Sequence, residues 1–257
     1  MPPDTHPWLM LIQGFAAQTL SYFAIVGLLY LLIWKWGAQR LESRRIQARR
    51  RVDGKQIRFE IKNTLIMLLA SSPMTLAVSM LYASGQTQLT LNAATIGWPM
   101  IAATFVGLLL FNDAWFYFWH RLLHHPKLFR HVHATHHKSV DVNPFSSYSF
   151  HWFEGFILGA WILPVALLVP IYIPMLGGLH AIGLANNLMS HLGYEFFPRG
   201  LLRVPLLSWI NTSTYHNMHH SSFNGNYGLM FRFWDRLLGT ELKNYESTFR
   251  ARAEVKI

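Results

Sequence analysis

Between His120 and His137 the chain reads HRLLHHPKLFRHVHATHH, and seven of these eighteen residues are histidine. A second cluster, His216, His219 and His220, lies far downstream. Histidine is the commonest metal-ligating side chain, and its unperturbed pKa lies near neutrality. So many imidazoles packed together would repel one another if charged, and a bound metal holds them neutral. His120 and His124, four residues apart, share a helical face. His133, His136 and His137 follow an i, i+3, i+4 spacing that is expected to put all three on one face, and His216, His219 and His220 repeat it. These eight imidazoles are more than one ion can hold, so the spacing predicts a two-metal site. His191 is a ninth candidate ligand. Asn187, four residues before it, is expected to hydrogen-bond a ligand rather than to be one. His6, His125, His131, His151 and His180 fall off these faces or stand alone, and are expected to be ordinary histidines.

The chain has no cysteine, which excludes thiolate metal sites and disulfides. Imidazole suits Zn, Cu, Fe and Ni alike. The Glu-x-x-His pattern of soluble di-iron bundles and the H-E-x-x-H of zinc proteases are both absent. Nine imidazoles without a cluster of carboxylates suit a redox-active pair that must hold O2, so two Fe ions are expected, with Zn as the competing metal. Asp113 lies seven residues before His120, two turns up the same face, inside an otherwise uncharged run. A carboxylate at membrane depth is costly and marks function. It is expected to take part in the site by accepting the second ring N–H of a ligand histidine, which would fix the tautomer. The alternative is a pairing with an arginine away from the metal.

The rest of the chain must position these residues. Of its 257 residues 52% are hydrophobic and 13% charged, a balance outside the usual soluble range. No Asp, Glu, Lys or Arg occurs from Ile12 to Trp34, from Asn63 to Asn112, or from Gly155 to Tyr194. The first run is long enough for one transmembrane helix and the second for two, turning between Gly85 and Thr95. The third, broken by Pro164, Pro170, Pro174, Gly177 and Gly178, reads as a hairpin whose second arm ends near His191 and spans or re-enters. The expected fold is an all-α, polytopic membrane helical bundle of four to five spans, with a helical cap carrying the histidines. Residues 1–62 form an N-terminal helix and basic loop, and residues 63–257 the main domain.

The net charge of +10 is concentrated. Every Lys and Arg lies in 35–62, in 120–150 or after 191, and the two short loops on the other side have none. By the positive-inside rule all three basic segments, and every histidine cluster with them, face the cytoplasm. Juxtamembrane cations account for the charge, and no nucleic-acid partner is expected. No basic region precedes the first apolar run, so a cleaved signal peptide is not expected.

Several ordered motifs together resemble the fatty acid hydroxylase / sterol desaturase superfamily. They are Asp113-Ala-Trp-Phe-Tyr-Phe-Trp-His120-Arg-Leu-Leu-His124-His125, Arg130-His-Val-His133-Ala-Thr-His136-His137, Ser149-Phe-His151-Trp-Phe-Glu154, Ser190-His191-Leu-Gly-Tyr-Glu195, His216-Asn-Met-His219-His220, Asn226-Tyr-Gly228, and Trp234-Asp235-Arg236-Leu-Leu-Gly239-Thr240. The resemblance covers roughly residues 96–245. Two positions depart from the pattern: Asn187 stands where some members have a further histidine, and Trp152 where many have proline. The resemblance implies an integral membrane di-iron oxygenase that hydroxylates or desaturates a fatty acyl chain, sterol or related lipid, using O2 and two electrons. With no fused cytochrome b5 segment, the electrons are expected from a separate cytochrome b5- or ferredoxin-type reductase chain. The competing readings are a membrane zinc-dependent lipid amide or ester hydrolase, and a non-enzymatic metal-binding scaffold.

Overall fold

The computed structural model describes residues 7–47 and 52–253; His6, Arg49, Arg50 and Arg51 lie outside the described residues. Two-residue strands apart, the regular structure is helical, as the charge-free runs predict. Helix α1, Pro7–Leu29, continues as π-helical turns over Tyr30–Trp36. Helix α2, Gly54–Ala83, begins where the Asp53 carboxylate accepts the Gln56 amide at 2.8 Å. Such a cap satisfies one of the N–H groups a helix start leaves unpaired. The basic connection is therefore shorter than the expected 35–62: Lys55, Arg58 and Lys62 already belong to the first turns of α2. Gly85 (φ +72°) turns the chain after α2. Gly97 (φ +82°) and the following Trp98-Pro99 open helix α3, Trp98–Leu123, about 39 Å long at 1.5 Å per residue.

Among the described residues three helices are long and apolar enough to cross a membrane: Leu11–Trp36, Gly54–Ala83 and Trp98–Leu123. They present large apolar side chains outward, among them Leu20, Leu69 and Leu110. The expected hairpin follows. Its first arm is split into helices α4, Trp152–Gly159, and α5, Ile162–Leu168. Its second arm is helix α6, Ile173–Ser190, which ends one residue before His191. Between the arms, strand β2, Ile171–Tyr172, pairs in parallel with strand β1, Leu89–Thr90, and ties the two turns of that end together. Helix α4 lies against α2 so closely that a Cβ at Gly155 would collide with Met67.

At the other end of the bundle sits a polar cap. It contains helix α7, Ser213–Ser222, a short helix Phe233–Leu237, and helix α8, Tyr245–Ala253. Leu201, Tyr215, Met218, Tyr245 and Phe249 form its small core. Arg232, fully buried, donates two hydrogen bonds of 2.7 Å to the Glu241 carboxylate and lies over the Tyr245 ring.

A topology experiment follows from this arrangement and from the absence of native cysteine. In intact cells, a cysteine placed at exposed Lys127 should resist an impermeant thiol reagent and react after permeabilisation, and one at exposed Gln86 should react without it. Labelling of the Lys127 position in intact cells would invert the predicted orientation. Ser139, in the same cap, makes a poor probe site because its side chain is buried on Glu60.

Candidate metal centre

Each histidine comes to the centre from the end of an element. Helix α3 carries His120, and His124 is the residue that ends it. A short helix Pro126–Leu128, five π-helical residues Phe129–His133 and one turn of helix Ala134–His137 bring His133, His136 and His137 back over that end. His191 ends α6. Helix α7, capped by the Thr212 hydroxyl, carries His216, His219 and His220. Eight of the nine rings are buried and His124 is partly exposed.

The nine candidate histidines are brought together as two adjacent groups. His120, His124, His133, His137 and His219 form one; His136, His191, His216 and His220 form the other. Within each group the ligand nitrogens all lie within 4.8 Å of one another. The expectation that each triplet shares a single face is corrected here. His136 leaves His133 and His137 for the second group, and His219 leaves His216 and His220 for the first. The reason is helical rotation at about 100° per residue. A residue at i+4 leads its partner by about 40° and one at i+3 lags it by about 60°, so those two point about 100° apart. That angle separates the two groups, and each triplet contributes to both.

Hydrogen bonds at the far ring nitrogens fix where the lone pairs point. The Nδ1 atoms of His120, His219 and His191 lie 2.8 Å from the carbonyl oxygens of Tyr227, Gly225 and Asn187. A carbonyl only accepts, so each Nδ1 carries the hydrogen and each Nε2 presents a lone pair. His133 Nδ1 meets the Glu154 carboxylate at 2.7 Å. On the inner side, His133 Nε2 is 3.1 Å from the Nε2 atoms of both His120 and His137. His124 Nε2 is 3.2 Å from those of His137 and His219. In the second group, His216 Nε2 lies 3.2 Å from that of His191 and 3.1 Å from that of His220. Where both nitrogens present lone pairs, as at His120 and His133, so close an approach repels unless a cation lies between them. Two nitrogens bound at about 2.1 Å and at right angles to one ion sit about 3.0 Å apart, so the donor set fits one ion per group.

The rings are also held neutral, as metal ligation requires. Burial, followed by the neighbouring imidazoles, drives His133, His136, His216 and His220 well below the ordinary histidine pKa. Burial pushes His219 down to about 4. His125 and His131 stay outside both groups: His125 caps the helix that begins at Pro126, and exposed His131 pairs with Arg130.

Asp113 is placed differently from the expectation. Its Oδ1 accepts the backbone amides of Met230 at 2.8 Å and Phe231 at 3.2 Å, and neither a histidine nor an arginine is among these partners. Asp235 grips the same loop, accepting the amides of Tyr227 at 2.9 Å and Gly228 at 2.7 Å. Two buried carboxylates thus fix the loop whose Tyr227 carbonyl orients His120. Asp113 acts one step further from the rings than the spacing suggested, because a backbone loop occupies the place expected for a histidine. The Asn187 side chain donates to the Ser147 carbonyl, and Asn187 serves His191 through its backbone oxygen. Glu154, which closes the Ser149–Glu154 motif, is the acid behind His133. It had a signal, as a single carboxylate at the edge of a charge-free run. The carbonyls of Gly225 and Tyr227 had none, since every residue has one.

Residues 105–240 match the family model described as fatty acid hydroxylase. The chain is 31% identical over 144 residues to methylsterol monooxygenase 1 of Gallus gallus, covering 56% of this chain and 48% of that protein. It is 32% identical over 198 residues to human lathosterol oxidase, covering 75% and 63%. Its identity to the Delta(7)-sterol 5(6)-desaturase erg3C of Aspergillus fumigatus is 27% over 218 residues, covering 77% and 67%. The chain thus spans about half the length of the methylsterol monooxygenase it matches. No solved structure matches it.

Two sets of variants test the centre. His136→Ala and His219→Ala, which remove one ligand from different groups, should each lower metal content and abolish activity, while His125→Ala keeps both. Equal metal loss in His125→Ala would refute the grouping. Asp113→Asn leaves an oxygen able to accept the loop amides, so it should cost about 1–3 kcal/mol of stability with metal content unchanged in the folded protein. A role on a histidine tautomer would instead weaken metal binding about 10–100-fold, which chelator competition would detect.

Proposed function

The chain belongs to the fatty acid hydroxylase family, and from that premise we propose that it is a di-iron membrane oxygenase acting on a lipid. The observation that carries the reading is the pair of converging nitrogen groups, five and four imidazoles, at the end of an apolar helical bundle. The named activities of the relatives, sterol oxidation and desaturation, favour a sterol or a comparably apolar membrane lipid as substrate. Electrons come from a separate cytochrome b5- or ferredoxin-type reductase chain, and the centre faces the cytoplasm.

Two iron ions, when bound, supply the activation of O2 and the oxidation of an unactivated C–H bond, to an alcohol or to a double bond. The chain's own residues do the rest. The carbonyls of Tyr227, Gly225 and Asn187 hold three rings in the Nδ1–H tautomer, so their Nε2 lone pairs stay available. Glu154 orients His133 from behind, through the ring nitrogen that faces away from the group. Phe150 covers the His136 ring at 4.5 Å, and Phe129 and Phe223 flank His137 at 5.4 and 5.0 Å. These aromatics keep water from the centre, which protects a reactive oxidant from side reactions. The partly exposed His124 marks the less covered side.

A zinc hydrolase would need a carboxylate facing its bound water as a general base. Glu154 sits instead behind His133, and Asp113 and Asp235 are engaged by backbone amides. The purified protein, loaded with iron and supplied with a chemical or enzymatic reductant and a sterol or acyl lipid, should consume O2 in proportion to oxidised lipid formed. Zinc loading should abolish the uptake. Cleavage of a lipid ester or amide without O2 would overturn the proposal in favour of the hydrolase.

A further inference from the structure

The two imidazole groups are not supported alike. In the first, the Nδ1 atoms of His120, His133 and His219 all meet fixed acceptors. In the second, His191 has one in its own helix, the Asn187 carbonyl. His220 Nδ1 is buried without a partner, as His137 Nδ1 is in the first group, and His136 has only the backbone of Ser149 beside its ring. The second group therefore depends on the position of the backbone that carries it.

That backbone is held by a segment lying wholly N-terminal to residues 105–240, the part of the chain that matches the family. The Trp34 indole N–H donates to the Leu192 carbonyl at 2.8 Å, one residue after His191. Gly193, at φ +75°, has no room for a Cβ: one would stand 2.6 Å from the Trp34 ring. Ile46 N donates to Gly193 O at 3.1 Å and Glu195 N to Arg44 O at 2.9 Å, a short bridge beside the same histidine. Arg45 is sandwiched by Trp34 and Tyr194 and pairs with Asp141, five residues after His136. Gln47 Nε2 divides its two hydrogens between the Val140 carbonyl at 2.6 Å and Asn217 Oδ1 at 2.8 Å. Asn217 follows His216 directly. Glu60, fully buried on α2, accepts from Ser139 at 2.7 Å and from Asn143 at 2.9 Å. All three stretches that supply the second group are thus tied to residues 34–47 and 53–60.

We infer that residues 34–47 and 53–60 position the second imidazole group more directly than the first, chiefly through the backbone at His191, which serves that group alone. The inference rests on the two-ion reading above. It predicts that small changes in these residues loosen the second site more than the first.

Two mild variants of the full chain test it. Trp34→Phe keeps an aromatic ring and removes the indole N–H; Gln47→Ala removes both bonds to Val140 and Asn217. Each is purified folded, loaded with iron and challenged with a chelator, with iron per chain and the ferric EPR spectrum as readouts. The wild type should hold two ions and, as a coupled diferric pair without net spin, give little ferric EPR signal. The variants should hold one ion tightly and the other about tenfold more weakly, with the spectrum of a single ferric ion growing in. Two ions held as in the wild type would overturn the inference. So would parallel loss of both ions, because the segment would then serve only the fold as a whole. A wild type that binds fewer than two ions would overturn the two-ion reading itself, and the inference with it.

Discussion

Ring nitrogens converge on one another at 3.1–3.2 Å, a close approach that repels wherever two lone pairs meet, and nearly everything around the centre exists to keep them aimed that way. An imidazole in water would turn away or take up a proton. Here the rings are buried, so charging is costly, and several cannot turn because a backbone carbonyl holds the other nitrogen. Polar groups so placed are stable only if every partner is also fixed. The carbonyls of Gly225 and Tyr227 lie in a loop, and that loop needs anchors of its own. The buried carboxylates Asp113 and Asp235 supply them by accepting amides on either side of Leu229. Hydrogen bonds to a charged acceptor contribute about 1.5–3 kcal/mol each, which offsets part of the cost of burying an acid.

The apolar bundle serves this polar centre more than it serves itself. Its long helices deliver their ends, not their middles, to the site: His120 and His124 at the end of α3, His191 at the end of α6, Glu60 near the start of α2. At the opposite end the elements meet through a two-residue parallel strand pair and an apolar cluster that includes Ile101, Leu108 and Ile171. The chemistry-bearing residues are therefore concentrated in the cap, where basic side chains are expected to meet the aqueous phase.

Much of this was legible in the amino-acid order. Charge-free runs located the long helices, and Pro170 marked the break between α5 and α6, while Pro164, Gly177 and Gly178 lie inside those helices. Histidine spacing picked out eight of the nine rings that the fold gathers and left aside His125 and His131, and His191 was marked by its place at the end of a charge-free run. Other features were not legible, for definite reasons. A spacing of i, i+3, i+4 is compatible with one shared ion or with two, and only the packing of α7 against the turn at His136 and His137 divides the rings. Asp113 shares its helix with His120, but what it touches is decided by a loop more than a hundred residues away. The partners of Arg45, Gln47 and Glu60 are set by tertiary packing, so in the sequence these residues read only as parts of a basic connection.

The exchange of His136 and His219 between the groups bears on how the protein is made. Each group includes at least one ring from the stretch 120–137 and at least one from α7. During synthesis, the first stretch leaves the ribosome long before the second exists, while the membrane helices between them are still being inserted. An early ion at His120, His124, His133 and His137 would lack His219, and no ion could settle at His136 before α6 and α7 arrive. Nascent chains therefore have no finished site to load, and a chain stalled or cut before residue 216 has neither group complete. On the two-ion reading, the filling of both groups follows the synthesis of α7 and does not precede it.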